Sequence, residues 1–452
     1  MPDEAPAASP AQAPHAPGSA RPEGPGDAAA GGPPGAPHDS YAALRLPAFR
    51  RYVAGLAALT FATQVQGTIV GWQVYAITRD PLSLGLIGLA EALPFIGCAL
   101  WAGHVADRGD RRRIVQWATL VLVACSAALL ALSLRPPAGP AYVRTVYGVI
   151  LVSGVARSFL QPARQALSSE IVPRAVLANA ITWRSTTWQA AAVGGPALGG
   201  LLYAAAGPPT AYAVDTALMV GALAAFAGVR PHPERAAARA AAAEPLPVAQ
   251  SLFEGLRYMR TQPVILGAMT LDLFSVLFGG ATALLPVFAD EVLRVGPEGL
   301  GVLRAAPAAG AVVVSLVLAH RPPVRNAGPV LLAAVALFGA AMVGFGLSTS
   351  YPLSVALLAF SGGVDMVSVN IRSLLLQLLV PDRLLGRVSS VNQIFIGSSN
   401  EIGAFESGVA AKLVGAALSV VLGGIATLGV VATTAALVPA LRRLRRIEPA
   451  AA

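Results

Sequence analysis

From about residue 50 onward, long apolar stretches alternate with short polar connections. An apolar stretch of about 20 residues can cross a bilayer as a helix. This pattern predicts twelve helices, at residues 50–77, 82–106, 114–134, 141–161, 176–206, 210–229, 263–292, 298–320, 327–348, 351–377, 386–415 and 417–441. Several exceed the length that a bilayer requires, which predicts tilted or kinked helices. We therefore expect an all-α polytopic membrane protein.

Polar segments divide the chain into five parts. The first 49 residues are rich in Pro, Ala and Gly and lack apolar periodicity, which predicts a disordered tail. The predicted parts are a tail at 1–49, a six-helix half at 50–229, a linker at 230–262, a second six-helix half at 263–441 and a basic tail at 442–452. In the linker, Leu252, Leu256 and Met259 share one helical face, which fits either a short interfacial helix or a plain tether.

The two halves contain almost equal numbers of residues, which suggests a duplication. Shifting the chain by 208 positions aligns Arg164 with Arg372, Gly195 with Gly403 and, in all, nine identical residues over 153–200. Two pseudo-symmetric halves related by an axis along the membrane normal are typical of secondary transporters.

Charge and composition narrow the class of protein. Hydrophobic residues make up 55% of the chain and charged residues 12%, about half the charged fraction of a soluble protein. Arginines gather in the connections on one side of the predicted helices, so the net charge of +9 indicates cytoplasmic termini and linker rather than a nucleic-acid partner. Cys98 and Cys125 lie in apolar stretches, and we predict neither a metal site nor a cofactor.

The connection between the second and third helices reads GHVADRGDRRR from Gly103. It resembles the G-x-L-A-D-R-x-G-R-K motif of the major facilitator superfamily, with Asp110 in place of the second glycine. The resemblance implies the major facilitator fold, and it implies that the aspartate latches onto the start of the eleventh helix near Arg387. Gly103 would allow close approach of a neighbouring helix, and the arginines would clamp the carboxylate. The gating residues predicted in this loop are Gly103, Asp107, Arg108, Arg111 and Arg112.

The fifth helix contains AAVGGPALGG from Ala191, which resembles the antiporter motif of exporting branches of this superfamily. A proline flanked by glycines bends a helix and allows close packing, as a seal against back-leakage requires. We assign this gating role to Gly195, Pro196, Gly199 and Gly200. The stretch from Gly386 to Gly408 also resembles the enterobactin-exporter branch, which implies export of a siderophore.

Charged side chains at membrane depth are costly and need a partner, a wet cavity or a function. Asp272, Glu401 and Glu91 are the proton-coupling candidates, since each is expected near mid-membrane. Arg157 and Asp365 occupy equivalent positions in the two halves, and we predict that they pair when the cytoplasmic side is shut. The predicted residues of a substrate cavity are polar, aromatic or cationic: Gln64, Trp72, Gln73, Arg184, Trp188 and Asn392.

The resemblance to this branch implies a proton-coupled exporter of a siderophore such as enterobactin, working by alternating access. It would be a monomer in a bacterial inner membrane, with a small-molecule substrate, protons and lipid as its partners. A multidrug antiporter of lipophilic compounds is the main alternative, followed by a proton symporter and a transport-inactive scaffold. A membrane enzyme is disfavoured, because the sequence lacks the HExxH and GxxxxGK[ST] motifs.

Overall fold

The computed structural model describes residues 39–135, 139–230, 248–320 and 326–445. Within these ranges nearly all residues are helical and no strand occurs. Most of the predicted N-terminal tail, the first part of the linker and the end of the C-terminal tail lie outside the described residues.

The N-terminal half begins with four separate helices and a fifth, much longer segment. They are α1 at Pro47–Thr78, α2 at Pro81–Arg108, α3 at Arg111–Ser133, α4 at Gly139–Glu170 and the segment Leu177–Ala227. This last segment leaves helical geometry at Gly207, whose φ of 75° favours glycine, and Pro208 and Pro209 follow directly. It therefore consists of two helices, α5 at 177–206 and α6 at 208–227.

The linker helix, Val248–Thr261, precedes the C-terminal half. The six long helices of that half are α7 at Pro263–Val292, α8 at Gly296–Ala319, α9 at Ala327–Leu347, α10 at Tyr351–Leu379, α11 at Asp382–Val414 and α12 at Ala416–Leu437. Regular α-helix in α7 ends at Gly279. The span continues through a 3₁₀ turn at Ala281–Leu284 and ends in a π-helical turn at Phe288–Val292.

Ten helices of the described residues are long and apolar enough to cross a membrane. The segment Leu177–Ala227 counts once among them although it contains both α5 and α6. Helix α11 is not among the ten, and it is more polar than its neighbours because Asn392, Asn400 and Glu401 interrupt its apolar residues. Separating α5 from α6 and adding α11 gives twelve segments of spanning length, in agreement with the predicted twelve.

Successive helices run between two sides of the molecule. Arg51 at the start of α1 donates to the Gly228 carbonyl after α6 (3.0 Å), and the Asn326 amide before α9 donates to the Arg445 carbonyl after α12 (2.7 Å). The starts of α1 and α9 and the ends of α6 and α12 thus lie on what we term the termini side. The α1–α2 connection and the end of α11 lie on the opposite side, where Lys412 reaches Asp80 (2.7 Å).

The predicted linker helix is present and packs on the C-terminal half. Met259 is fully buried in an apolar cluster with Ile265 and Val388, and Leu256 packs against the same cluster. A Cβ atom on Gly255 would lie 2.8 Å from the Arg387 carbonyl oxygen, so the linker helix contacts α11 closely. The Leu252 side chain lies outside the described residues.

Candidate functional site

Charged side chains join the two halves on the opposite side. Lys412 of α11 pairs with Asp80, Arg79 pairs with Asp290, and the Tyr75 hydroxyl donates to Glu291. Partial burial raises the pKa of the Asp80 carboxyl, but the hydrogen bonds from Lys412 and the Leu82 amide outweigh it, and the net pKa is lowered. Asp80 is therefore ionised at neutral pH, as the contact with Lys412 requires.

Glycines bring helices of different halves into backbone contact near these charges. A Cβ atom on Gly200 of α5 would lie 2.3 Å from the Pro297 carbonyl oxygen and 2.9 Å from the Gly301 Cα of α8. On α2, Gly85 meets the Gly408 backbone in the same way. No larger residue fits at such contacts without separating the helices.

The predicted antiporter motif supplies part of this packing. The Pro196 carbonyl faces Gly301 across the interface, while Gly195 and Gly199 pack on Gln64 and Val65 of α1 within their own half. Helices thus pack closely at this motif, both within the N-terminal half and between the halves, while its gating role stays a prediction.

The gap between α2 and α11 widens towards the termini side. Gly408, Gly397 and Gly386 are spaced by eleven residues, about three helical turns, and therefore share one face of α11. A Cβ atom would meet Gly85 at the first position (2.6 Å) and Phe95 at the second (2.4 Å), but nothing within 4 Å at the third. Helices α2 and α11 are thus in close contact on the opposite side, and this close contact does not extend to Gly386.

The loop between α2 and α3 differs in part from its prediction. A Cβ atom on Gly103 would meet nothing within 4 Å, so in this structure no neighbouring helix makes the predicted close approach to it. The Asp107 side chain lies outside the described residues, and Arg108 is exposed. Arg111 binds Glu170 of α4 (2.7 Å) and Arg112 binds the Ala227 carbonyl (2.7 Å). These arginines therefore join helices of the N-terminal half.

The start of α3 and the start of α11 complete this region. Asp110 caps α3 by accepting hydrogen bonds from the Arg112 and Arg113 amides, which gives the departure from the family motif a structural role. At the start of α11, where the aspartate latch was expected, Arg387 pairs with Glu254 of the linker helix.

Four polar residues meet at mid-depth and connect the halves. Arg157 of α4 binds the Glu91 carboxylate of α2 (3.0 Å) and the Gln66 side-chain oxygen of α1 (3.2 Å). The Glu401 side chain of α11 lies close to Glu91 and Arg157 and interacts electrostatically with both. Two carboxyl groups this close favour a state in which one of them holds a proton. Two of the three predicted proton-coupling residues thus meet across the interface.

The same network continues into the N-terminal half. Gln66 donates to Asp215 of α6 (3.1 Å), and the Ser126 hydroxyl of α3 donates to the same carboxylate oxygen. Asp215 is fully buried, and its second oxygen has no hydrogen-bond partner among the described residues. Hydrogen bonds therefore lead from the interface to a buried carboxyl that the sequence analysis missed.

The third proton-coupling candidate, Asp272, lies in a separate cluster of the C-terminal half. It forms an ion pair with Arg372 of α10, whose other terminal nitrogen lies 4.0 Å from Asp365. Asp272 and Asp365 line a cavity of about 190 Å³ enclosed by α7, α8, α9, α10 and α11. Arg157 and Asp365 each have a partner in their own half, and in this structure they do not pair.

The residues predicted for a substrate cavity occupy different environments. Gln73 is buried in the N-terminal half, where it donates a hydrogen bond to the Tyr142 hydroxyl (2.8 Å) and accepts one from the Tyr212 hydroxyl (2.7 Å). Arg184 donates to Ser168 of α4 (2.8 Å). Trp188 is 53% exposed, whereas Gln64, Trp72 and Asn392 are partly buried.

The sequence analysis assigned no role to several charged residues that have partners in the structure, among them Glu170, Asp215, Arg304 and Arg372. Asp215, Arg304 and Arg372 are isolated charges in apolar helices, the signal that selected Asp272, and applying it to every helix would have found them. Among the described residues, no group of three His, Cys, Asp or Glu residues could hold a metal ion.

Comparison with known proteins identifies the family. Residues 38–450 match the sequence profile of the transmembrane secretion effector family. The enterobactin exporters EntS of Shigella boydii serotype 18 and Shigella dysenteriae serotype 1 are each 26% identical to the chain over 354 residues, covering 76% of the chain and 80% of the relative.

Solved structures of similar fold are transporters. A D-xylose-proton symporter is 13% identical with a TM-score of 0.66, covering 88% of this chain and 99% of its own. A peptide transporter of the POT group is 14% identical with a TM-score of 0.66, covering 88% and 95%. The chain therefore belongs to the transmembrane secretion effector family of the major facilitator superfamily, and is an integral membrane transporter rather than an enzyme.

Proposed function

We propose that the protein exports a siderophore such as enterobactin in exchange for protons, by alternating access across a bacterial inner membrane. The observation that carries this proposal is the proximity of Glu91 and Glu401 across the two halves, because two neighbouring carboxyl groups favour holding one proton between them. The cargo is inferred from the relatives, which are named enterobactin exporters. The arginine-rich termini side would face the cytoplasm.

The shared proton favours the state seen here, which is closed on the opposite side. With one proton present, Glu91 and Glu401 attract each other across the interface and reinforce the nearby glycine contacts. Once the proton leaves, two neighbouring carboxylates carry two negative charges that Arg157 offsets only in part, and they repel each other. Deprotonation therefore favours separation of α2 from α11 and opening towards the opposite side.

This coupling has the direction that export requires. The proton would be released to the cytoplasm from the state open on the termini side, as substrate binds from the same compartment. The deprotonated, loaded protein would then open to the opposite side, release its cargo and take up a proton there. Each cycle moves a proton inwards and a substrate outwards, so the proton gradient drives export.

The second acidic cluster has a different expected role. Asp272 already has a full ion pair with Arg372, and both are buried in the C-terminal half. We assign Asp272 mainly to the stability of that half and the coupling proton to Glu91 and Glu401.

The test is transport by purified protein in liposomes with an imposed pH gradient. Proton movement should follow the addition of enterobactin, and the Glu401→Gln variant should abolish it while the Asp272→Asn variant retains it in correctly folded protein. Movement with a lipophilic cation but not with enterobactin would instead identify a multidrug antiporter. Absence of proton movement with either compound would overturn the proposed coupling.

A further inference from the structure

The cavity of about 190 Å³ in the C-terminal half has the size of a small ligand. This volume equals that of about six water molecules at about 30 Å³ each. It is smaller than the pockets of about 300 Å³ and more that hold drug-sized compounds. All lining residues belong to α7, α8, α9, α10 and α11, so a ligand here would contact the C-terminal half alone.

The ionised groups at this cavity carry a net charge of −1. Asp272 and Asp365 both line the cavity, whereas Arg372, the ion-pair partner of Asp272, does not. Among the described residues, the charges that act on these two carboxylates are Arg372 and each other. Glu401 of α11 interacts with the charges of the interface network instead. One negative charge therefore faces the cavity without a matching cation.

Asp365 is the carboxylate that a ligand could bind. Arg372 approaches it only to 4.0 Å, which is longer than a hydrogen bond, and Asp365 forms no hydrogen bond within the described part of the chain. Its side chain is 48% exposed and lines the cavity. A carboxylate at membrane depth is costly without a close partner, and a bound cation would offset that cost.

Two further features of the cavity wall favour a cation. Ser368 is only 2% exposed and lines the cavity, and its hydroxyl has no hydrogen-bond partner among the residues that the structure describes. Its oxygen is therefore free to accept a hydrogen bond. Regular α-helix in α7 ends at Gly279, which also lines the cavity. The C-terminal end of a helix carries partial negative charge, which adds to the attraction of Asp365 for a cation.

The rest of the wall is apolar, which favours an organic cation over a bare metal ion. Val276, Phe338, Met342 and Leu358 contribute hydrocarbon surface and one aromatic ring. Sites for small molecules combine apolar walls with a few polar groups, and aromatic rings attract ammonium groups. A bare metal ion would leave most of this volume to be filled by water.

We propose that this cavity binds a small organic monocation, with the ammonium group at Asp365 and Ser368 and the hydrocarbon part against the apolar wall. A single positive charge balances the net charge of the cavity. The site goes beyond the proposed function and does not depend on it, because neither Glu91 nor Glu401 lines the cavity.

The test compares two probes of similar shape, the 2-phenylethylammonium ion and uncharged 2-phenylethanol. Their binding to the purified full chain is measured by calorimetry in detergent and sodium-free buffer, with sodium chloride as a third probe. The wild-type protein should bind the ammonium compound at least about tenfold more tightly than the alcohol, since a hydrogen bond to a charged group is worth about that factor. Thermal unfolding without ligand checks the fold of each variant.

The variants separate the charge from the shape of the site. Asp365→Asn should abolish the preference for the ammonium compound, and Asp365→Glu should keep part of it. Ser368→Ala should weaken binding of the ammonium compound by about two- to tenfold. Glu406→Gln removes a carboxylate of α11 that does not line the cavity, and this matched control should behave as wild type.

Equal affinity for the two probes in the wild-type protein would overturn the proposal, as would a preference that survives in Asp365→Asn. Binding of sodium without binding of the ammonium compound would assign the cavity to a metal ion and refute it too. An equal loss of both probes in Asp365→Asn would give this residue a structural role only. Should Asp365→Asn fail to fold, the wild-type preference and the Ser368→Ala variant still decide the outcome.

Discussion

Replacing Gly200 by alanine should shift the equilibrium between the two transport states. The added Cβ would lie 2.3 Å from the Pro297 carbonyl oxygen, whereas ordinary contact begins near 3.4 Å. Helices α5 and α8 must therefore separate by about 1 Å. Overpacking of this kind costs about 1–3 kcal/mol, which corresponds to a five- to 150-fold change in an equilibrium constant. Only the state closed on the opposite side contains this contact, so the variant should favour opening there.

Spin labels on opposite-side ends of the two halves can measure this shift. Leu134 after α3 and Leu347 at the end of α9 are 69% and 70% exposed, and cysteines introduced there would report the distance between the halves. Cys98 and Cys125 would first be replaced by serine and alanine. Gly200→Ala should enlarge the population with the longer distance.

The control is Gly221→Ala on α6, where the new Cβ would meet nothing within 4 Å. This variant makes the same change in helix propensity, from glycine to alanine, but adds no contact between the halves. An unchanged distance distribution in Gly200→Ala, or an equal change in both variants, would refute the packing argument.

Three further predictions concern the ion pairs and the buried amide. Asp272→Asn and Arg372→Gln should each lower the free energy of unfolding by about 3 kcal/mol, because each leaves a buried charge without its partner. Measured by thermal unfolding, the double variant should be less destabilised than the sum of the two single variants. Losses that simply add would contradict this pairing. Gln73→Leu should lower the free energy of unfolding by about 1–3 kcal/mol and leave KM for transport unchanged, because the Gln73 side chain is hydrogen-bonded to two buried tyrosines. A raised KM would instead support its predicted place in the substrate cavity. The pKa of Asp80 is lowered in the closed state, so its ion pair with Lys412 stabilises closure fully at any pH above about 3.9, the ordinary pKa of aspartate. This stabilisation is lost only when the pH falls through the lowered pKa. Titration of Asp80 should therefore leave the spin-label distances unchanged between pH 8 and pH 5. The side chains of Asp80 and Lys412 are 36% and 51% exposed, so Lys412→Gln should change these distances only slightly, and high salt should reduce the change further. A large change that resists salt would refute this.

The positions of the helices were largely predictable, because a membrane requires long apolar segments and these stand out in the sequence. The predicted gap between residues 206 and 210 matches the turn at Gly207, where glycine and two prolines interrupt the helix. The irregular end of α7 was not predicted. Its residues remain apolar, and the change of hydrogen-bond pattern after Gly279 leaves no trace in hydrophobicity.

The partners of buried charges were less predictable than their positions. The internal repeat makes Arg157 and Asp365 equivalent, and equivalence suggested that they pair. In the structure each binds a charge of its own half, Glu91 and Arg372, which neighbouring helices place closer. Sequence spacing specifies the face of a helix on which a residue lies, but not which helix packs against that face. The predicted pairing of Arg157 with Asp365 concerns the state with the termini side shut and stays a prediction.

The most direct test of the central claim is proton release on substrate binding. Enterobactin would be added to purified protein in a weakly buffered solution containing a pH indicator, and binding would be measured separately by calorimetry. We predict that the wild-type protein releases a proton on binding, and that Glu401→Gln and Glu91→Gln still bind enterobactin but release none. Unchanged proton release in both variants would show that the coupling proton lies elsewhere and would contradict the account.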